Sequence, residues 1–290
     1  MTTQHWESQA MRDHPPIDPL ERAILPRRVA RVDAVLAARL ASVTVVCEDV
    51  FDPHNVGACL RTAEGHGLQD VHLVTQKHGF KGPGQVARSA DQWLSLHRHA
   101  SPDAAIAALH GAGFAIWVAD LDGDAEIARL PVVGPVALVV GNEAEGVSAV
   151  MRDAADVRFV LPMHGMVQSY NLSVALGIAL DHVVRARRAQ LAERGEAGDL
   201  SSERQLALRD RWLEYGMRQA SKVRAAMALD SAGDAAMLAA QAEARQHMLA
   251  ATARARTSHA LRLGASGGQA ASASQVGHAG RGASPNGQER

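Results

Sequence analysis

The chain has 290 residues, long enough to bury a substantial core as one large domain or two small ones. Its 30 basic and 31 acidic residues leave a formal net charge of -1, which excludes a histone-like polycation but not a local basic patch. Two cysteines exclude a disulfide-rich scaffold and an all-cysteine zinc site, and the 14 histidines show no ligand spacing, so no metal is expected.

Residues 1–26, with prolines at 15, 16 and 19, read as a flexible leader without the basic-then-apolar pattern of a signal peptide. No apolar run approaches the roughly 18 residues of a membrane span. A cytoplasmic protein is therefore expected. Residues 27–40 predict a short amphipathic helix with Val29, Val32, Leu36 and Leu40 on one face and Arg27, Arg28, Arg31 and Arg39 mostly elsewhere. Strands are expected at 43–48, 71–75, 114–120, 135–143 and 157–162. Helices are expected at 55–67, shortly after the 76–84 loop, at 102–112 and at 170–192. Short apolar strands alternating with helices predict an α/β domain with a mainly parallel sheet. Residues 201–257 read as a helical extension rich in alanine and arginine. Residues 264–290 hold almost no large apolar residue and predict a disordered tail.

Three segments at strand ends carry unusual patterns, where α/β sheets place their ligands. In residues 51–67, Asn55 suits a helix N-cap. Val56, Leu60 and Ala63 share a face that Arg61 avoids, so Arg61 points to a groove or a partner. In residues 137–148 an apolar strand breaks into Gly141-Asn142-Glu143, with Gly146 three further on. This lacks GxGxxG and GKS/T, which disfavours a dinucleotide or nucleoside triphosphate site. In residues 161–180, Ser169, Asn171 and Ser173 crowd the start of an apolar helix, more polar groups than one cap needs. Each segment taken alone also fits an ordinary cap or strand-to-helix turn.

Their order and spacing together are more specific. NxGxxxRTA, then GNExxG, then LPMxGxxxSxNxSVAxxxAL closely resemble the three motifs of the SpoU (TrmH) branch of the SPOUT RNA methyltransferases. The resemblance covers about residues 27–190, within a methyltransferase domain expected over 27–192, and the stretch Gly165–Ser169 resembles the subgroup acting on tRNA guanosine 18. Relatives acting on large-subunit ribosomal RNA usually carry an extra N-terminal domain, and the roughly 42 residues before the first strand are too few for one. Tyr170 departs from the pattern, standing where leucine is usual.

The resemblance implies a C-terminal trefoil knot, an S-adenosyl-L-methionine cofactor and a homodimer. It implies 2′-O-methylation of RNA, at guanosine 18 of tRNA. Another tRNA position, ribosomal RNA, or a noncatalytic RNA-binding protein of the same fold are the alternatives. The implied cofactor residues are Ala119, Gly141, Asn142, Leu161, Met163, Tyr170 and Leu172. The implied catalytic set is Arg61, with Asn55 holding Arg61 or the ribose across the dimer interface and Glu143, Ser169 and Asn171 shaping the site. An arginine pKa above about 12 favours phosphate or alkoxide binding by Arg61 over proton abstraction. Arg27, Arg28, Arg31, Lys77 and Lys81 are the RNA-binding candidates, followed by Arg185, Arg187 and Arg188. The scarcity of aromatic residues, 3% of the chain, points to recognition by shape and phosphate rather than base stacking. The expected partners are tRNA and a second copy of the chain, with neither DNA nor a membrane expected.

Overall fold

The computed structural model describes residues 24–76 and 90–215, with a few positions between 243 and 250. The elements run α1 (Pro26–Ala37), β1 (Val43–Glu48), α2 (Pro53–His66), β2 (Asp70–Val74), β3 (Ser95–His99), α3 (Pro102–Gly111), β4 (Ala115–Ala119), β5 (Ala125–Glu126), β6 (Val136–Val140), α4 (Ala149–Asp153), β7 (Val157–Val160), α5 (Leu172–Glu193) and α6 (Ser202–Glu214). A 3-10 turn, Ile127–Arg129, follows β5. The seven strands form one parallel sheet in the order β3-β2-β1-β6-β4-β7-β5.

The central neighbours β1 and β6 read VTVVCE and VALVV, and every residue of both is buried. Such strands show no alternation because helices cover both faces of the sheet. On one face Leu60 and Ala63 of α2 and Leu176 and Leu180 of α5 pack with Val45 and Leu138. On the other, Ala105 and Leu109 of α3 and Met151 of α4 pack with Val46, Ile116 and Val139. The result is a three-layer α/β/α core, as the alternation of strands and helices predicts. Helices α1 and α6 join through a smaller cluster that includes Val29, Leu36, Leu208, Trp212 and Leu213.

Two strands go beyond the five predicted. Strand β3, SLHRH, pairs along β2 in parallel at the edge of the sheet. Its half-exposed polar residues give no apolar run to read. Strand β5 has only two residues. The predicted cap at Asn55 is also corrected. Asp52 caps α2, its carboxylate accepting the His54 amide at 2.8 Å, and Pro53 takes the first helical position. Proline fits there because it lacks the amide that the first turn leaves unpaired.

Arg39 is a further correction, since it belongs to no solvated face. It is 1% exposed. Its guanidinium donates to the Leu68 carbonyl at 2.6 Å and to Glu64 at 3.1 Å, and lies over the Trp212 ring. Burial lowers its pKa, and the Glu64 carboxylate works against that.

The edge pair β2–β3 concentrates histidine. His72 Nδ1 lies 2.9 Å from His99 Nε2, His97 reaches the Asp70 carboxylate at 2.8 Å, and Arg204 of α6 closes on the same carboxylate. Burial, and then repulsion from His97 and His99, lower the His72 pKa to about 4. Below the ordinary histidine value near 6.5 the unfolded chain therefore takes up a proton that the native one refuses. Stability is full above that pH and falls as the pH drops toward 4, by about 2–3 kcal/mol in all. Thermal melts at pH 7.5 and 4.5 should show this loss, and His72→Leu should flatten it. An unchanged pH dependence in the variant would refute the assignment to His72.

Candidate active site

The carboxyl ends of β1, β6, β4 and β7 lie side by side in the sheet, and their loops build the site. After β1 the chain turns through Asp49, whose φ of 45° is left-handed. The Asp49 carbonyl accepts the Asn142 side-chain amide at 2.9 Å, joining the β1 loop to the β6 loop. The β6 loop closes on itself. Asn142 and Gly146 exchange backbone hydrogen bonds of 2.9 Å, and Asn142 Oδ1 accepts the amides of Ala144 and Glu145.

That closed loop holds out Glu143. Its carboxylate accepts the Phe51 amide at 3.0 Å, the Asp52 amide at 3.3 Å and the Asn55 side-chain amide at 2.7 Å. Partial burial works to raise its pKa, but these hydrogen bonds prevail and hold the carboxyl below its ordinary value. With its Nδ2 committed to Glu143, Asn55 turns Oδ1 toward Asn171, whose Nδ2 lies 3.3 Å away. Asn171 in turn caps α5, its Oδ1 accepting the Ser173 amide at 3.0 Å and hydroxyl at 2.7 Å. A carboxylate from the β6 loop, a carboxamide from the first turn of α2 and another from the cap of α5 thus form one relay with fixed donor and acceptor directions. It exceeds what capping α5 needs.

Beside this relay lies an open cleft of about 140 Å³. All seven residues expected to hold a cofactor line it: Ala119, Gly141, Asn142, Leu161, Met163, Tyr170 and Leu172. Ser169 lines it too but does not join the relay. Sequence reasoning missed Asp120, Val147 and Phe159 on its walls. Asp120 directly follows β4, so its position at a strand end was the available signal.

The SpoU rRNA Methylase family model matches residues 42–181. The chain is 32% identical over 174 residues to the tRNA (guanosine(18)-2′-O)-methyltransferase of Borreliella burgdorferi, covering 59% of this chain and 80% of that one. The chain belongs to the SpoU methylase family. It is 35% identical over 160 residues to the 23S rRNA (guanosine-2′-O-)-methyltransferase RlmB of Haemophilus influenzae, over 54% of this chain and 65% of that one. Its fold matches the crystal structure of the A. aeolicus TrmH/SpoU tRNA modifying enzyme with a TM-score of 0.59 and 28% identity, over 67% of this chain and 99% of that one.

S-adenosylmethionine is the methyl donor of a SpoU methylase, and the cleft fits it. Val140, Phe159 and Leu161 offer an apolar slot for a flat ring, Gly141 lets a ligand approach the backbone, and the Asp120 carboxylate, 3.8 Å from the Arg158 guanidinium, adds an acceptor at the rim.

In this SpoU methylase the expected catalytic residues do not all meet. Asn55, Glu143 and Asn171 are joined by hydrogen bonds. Arg61 is exposed on α2, outside the cleft wall, with no hydrogen-bond or ion partner among the described residues. Thr62 beside it packs on Gly177 of α5, which sets Arg61 at the α2–α5 seam.

Of the RNA-binding candidates, Arg27, Arg28 and Arg31 line one cleft beside α1, while Lys77 and Lys81 lie outside the described residues. Arg187 and Arg188 are corrected to structural roles. Arg187 donates to Ser42 at 2.7 Å and to Asp199 at 3.1 Å, with both partners of that ion pair mostly buried. Arg188 binds the carbonyls of Ala38, His66 and Ala197, tying α5 to the end of α1. Arg185 is spent on Asp181 one turn away at 2.8 Å. The acceptors that claim Arg187 and Arg188 come from outside α5, unlike the Asp181 partner of Arg185.

Proposed function

We propose that this enzyme methylates a ribose 2′-OH of RNA, at guanosine 18 of tRNA. The observation that carries the reading is the Glu143–Asn55–Asn171 relay standing at the edge of an apolar cleft at the strands' carboxyl ends. When bound, S-adenosylmethionine supplies an electrophilic methyl group on a positively charged sulfur. The chain's own residues then hold and orient the ribose. The relay fixes the Asn55 and Asn171 amides, so that they meet the substrate without reorganising. Arg61 neutralises the substrate phosphate or the negative charge that builds on the 2′ oxygen as its proton passes to solvent water. The relative acting on guanosine 18 supports tRNA as the substrate, and the ribosomal RNA relative keeps the second reading in view.

The enzyme works as a homodimer on this reading. Val174 and Ile178 are exposed one turn apart on α5, beside the seam that carries Arg61, and Met166 and Val167 are exposed in the preceding loop. A patch of large apolar side chains fits burial against a second copy. That contact would carry Arg61 toward the partner's cleft, which supplies the residue its own cleft lacks. A trefoil knot formed as α5 threads back beside β6 and a cytoplasmic location complete the proposal.

Transfer of labelled methyl from S-adenosylmethionine to bulk unmodified tRNA tests it, followed by mapping of the blocked 2′-OH. The expected result is label at guanosine 18 alone. Label confined to ribosomal RNA or to another tRNA nucleotide would overturn the substrate, and cofactor binding without any transfer would overturn the activity.

A further inference from the structure

A second cleft, of about 700 Å³, opens between α1 and α6. Three aromatic rings gather there in a chain otherwise poor in them. The Trp93 ring meets Trp212 edge-on at 5.3 Å and Tyr215 at 5.2 Å. Arg27, Arg28 and Arg31 stand along the same wall. Arg28 donates to the Tyr215 backbone carbonyl, and Arg27 and Arg31 are exposed with no hydrogen-bond or ion partner among the described residues. The one carboxylate on the wall among the described residues, Glu64, is already paired with Arg39. The cleft is therefore strongly cationic.

Its floor also holds two donors that lack acceptors. Arg39 Nε and Trp212 Nε1 are buried without hydrogen-bond partners among the described residues, in residues 1% and 2% exposed. A buried unpaired donor is costly, and both of these groups can only donate. The exposed Arg27 and Arg31 guanidiniums, which only donate, call for a ligand that is negatively charged and rich in acceptors, and the aromatic wall adds a flat surface. A nucleotide has all three properties.

We propose that this cleft binds a nucleotide of the RNA substrate, its phosphate on Arg27 and Arg31 and its base against Trp93 and Tyr215. The inference rests on the RNA reading above. Trp93 precedes β3 and Glu64 precedes β2, so the cleft lies at the amino ends of the strands, opposite the methyl-transfer cleft. Strands of this length span about 17–20 Å, so one nucleotide cannot fill both clefts but a folded RNA can bridge them. The scarcity of aromatics overall does not predict this stacking surface, because its members come from positions 93, 212 and 215.

The full-length protein is titrated with unmodified tRNA at several salt concentrations, and separately with guanosine 5′-monophosphate and inorganic phosphate. Tyr215→Ala should weaken tRNA binding about 5- to 100-fold, the range of one stacked base, and Tyr215→Phe should restore it. Arg27→Ala with Arg31→Ala should lower the slope of log affinity against log salt by about 1.5. Equal tRNA affinity and equal slope in these variants and the wild type would overturn the proposal. So would tight binding of the mononucleotide or phosphate whose loss in the variants leaves tRNA affinity unchanged, which marks a site for a free ligand. A wild-type protein that fails to bind tRNA at all would remove the RNA reading itself, whereas binding that ignores the variants removes only this site.

Discussion

Arg61→Ala is expected to slow methyl transfer by about 10²–10³-fold or more, the cost of removing one group aimed at developing charge. S-adenosylmethionine affinity should stay within about twofold of wild type, because Arg61 forms no part of the cofactor cleft. Folding should be unaffected, since an exposed guanidinium without a partner among the described residues leaves no buried group unpaired when removed. The Glu143–Asn55–Asn171 relay, which does not include Arg61, stays intact in the variant. Arg61→Lys keeps the charge but loses the planar two-pronged grip, and should recover only part of the rate. Single-turnover transfer and calorimetric titration of the cofactor separate the two effects. Near-normal turnover by the alanine variant would remove Arg61 from the chemistry. Loss of cofactor binding would show that it acts on the cleft instead.

The sequence made the inner layers of this fold readable and left the edges obscure, for one physical reason. Strands β1, β4 and β6 are buried on both faces, so their residues form apolar runs of the right length. Strand β3 is half solvated and rich in histidine, so nothing in its pattern separates it from a loop. The arginines failed in the opposite direction. Arg39, Arg187 and Arg188 look like any others in an arginine-rich chain, and the acceptors that bury them, such as Leu68, Asp199 and His66, lie 29, 12 and 122 residues away in sequence.

The site was legible to a different depth. Motif resemblance named the residues of the cleft and of the relay, and the structure gathers the first group onto one wall and links three of the second. It could not supply the links themselves. Asn55 has the residue type of a cap, but the Asp52-Pro53 pair just before it is the stronger helix start. Freed from capping, Asn55 turns its amide to Glu143 and so to the site. Nothing in sequence order unites Trp93 with Trp212 and Tyr215. Their meeting depends on α6 packing back on α1.

Gly141→Ala should be the most damaging small substitution in the cleft. A Cβ at this position would lie 2.3 Å from the Gly146 carbonyl oxygen and 2.5 Å from the Val147 nitrogen. Both are backbone atoms, so no side-chain rotation relieves the overlap, and the loop from Asn142 to Val147 must move. Overpacking of this kind costs about 1–3 kcal/mol of stability. The larger effect is local. Displacing the loop breaks the paired hydrogen bonds between Asn142 and Gly146 and shifts Glu143 from the Phe51 and Asp52 amides and from Asn55. Cofactor affinity is expected to fall about 100-fold, equivalent to ~3 kcal/mol, with transfer falling further because the relay loses its carboxylate. Gly134→Ala, where a Cβ meets nothing within 4 Å, is the matched control and should change neither. Calorimetric titration and thermal melts read the two effects apart. A Gly141→Ala protein that binds S-adenosylmethionine normally would mean that the cofactor does not rest on this loop. The relay would then have to be positioned by β1 and α5 alone.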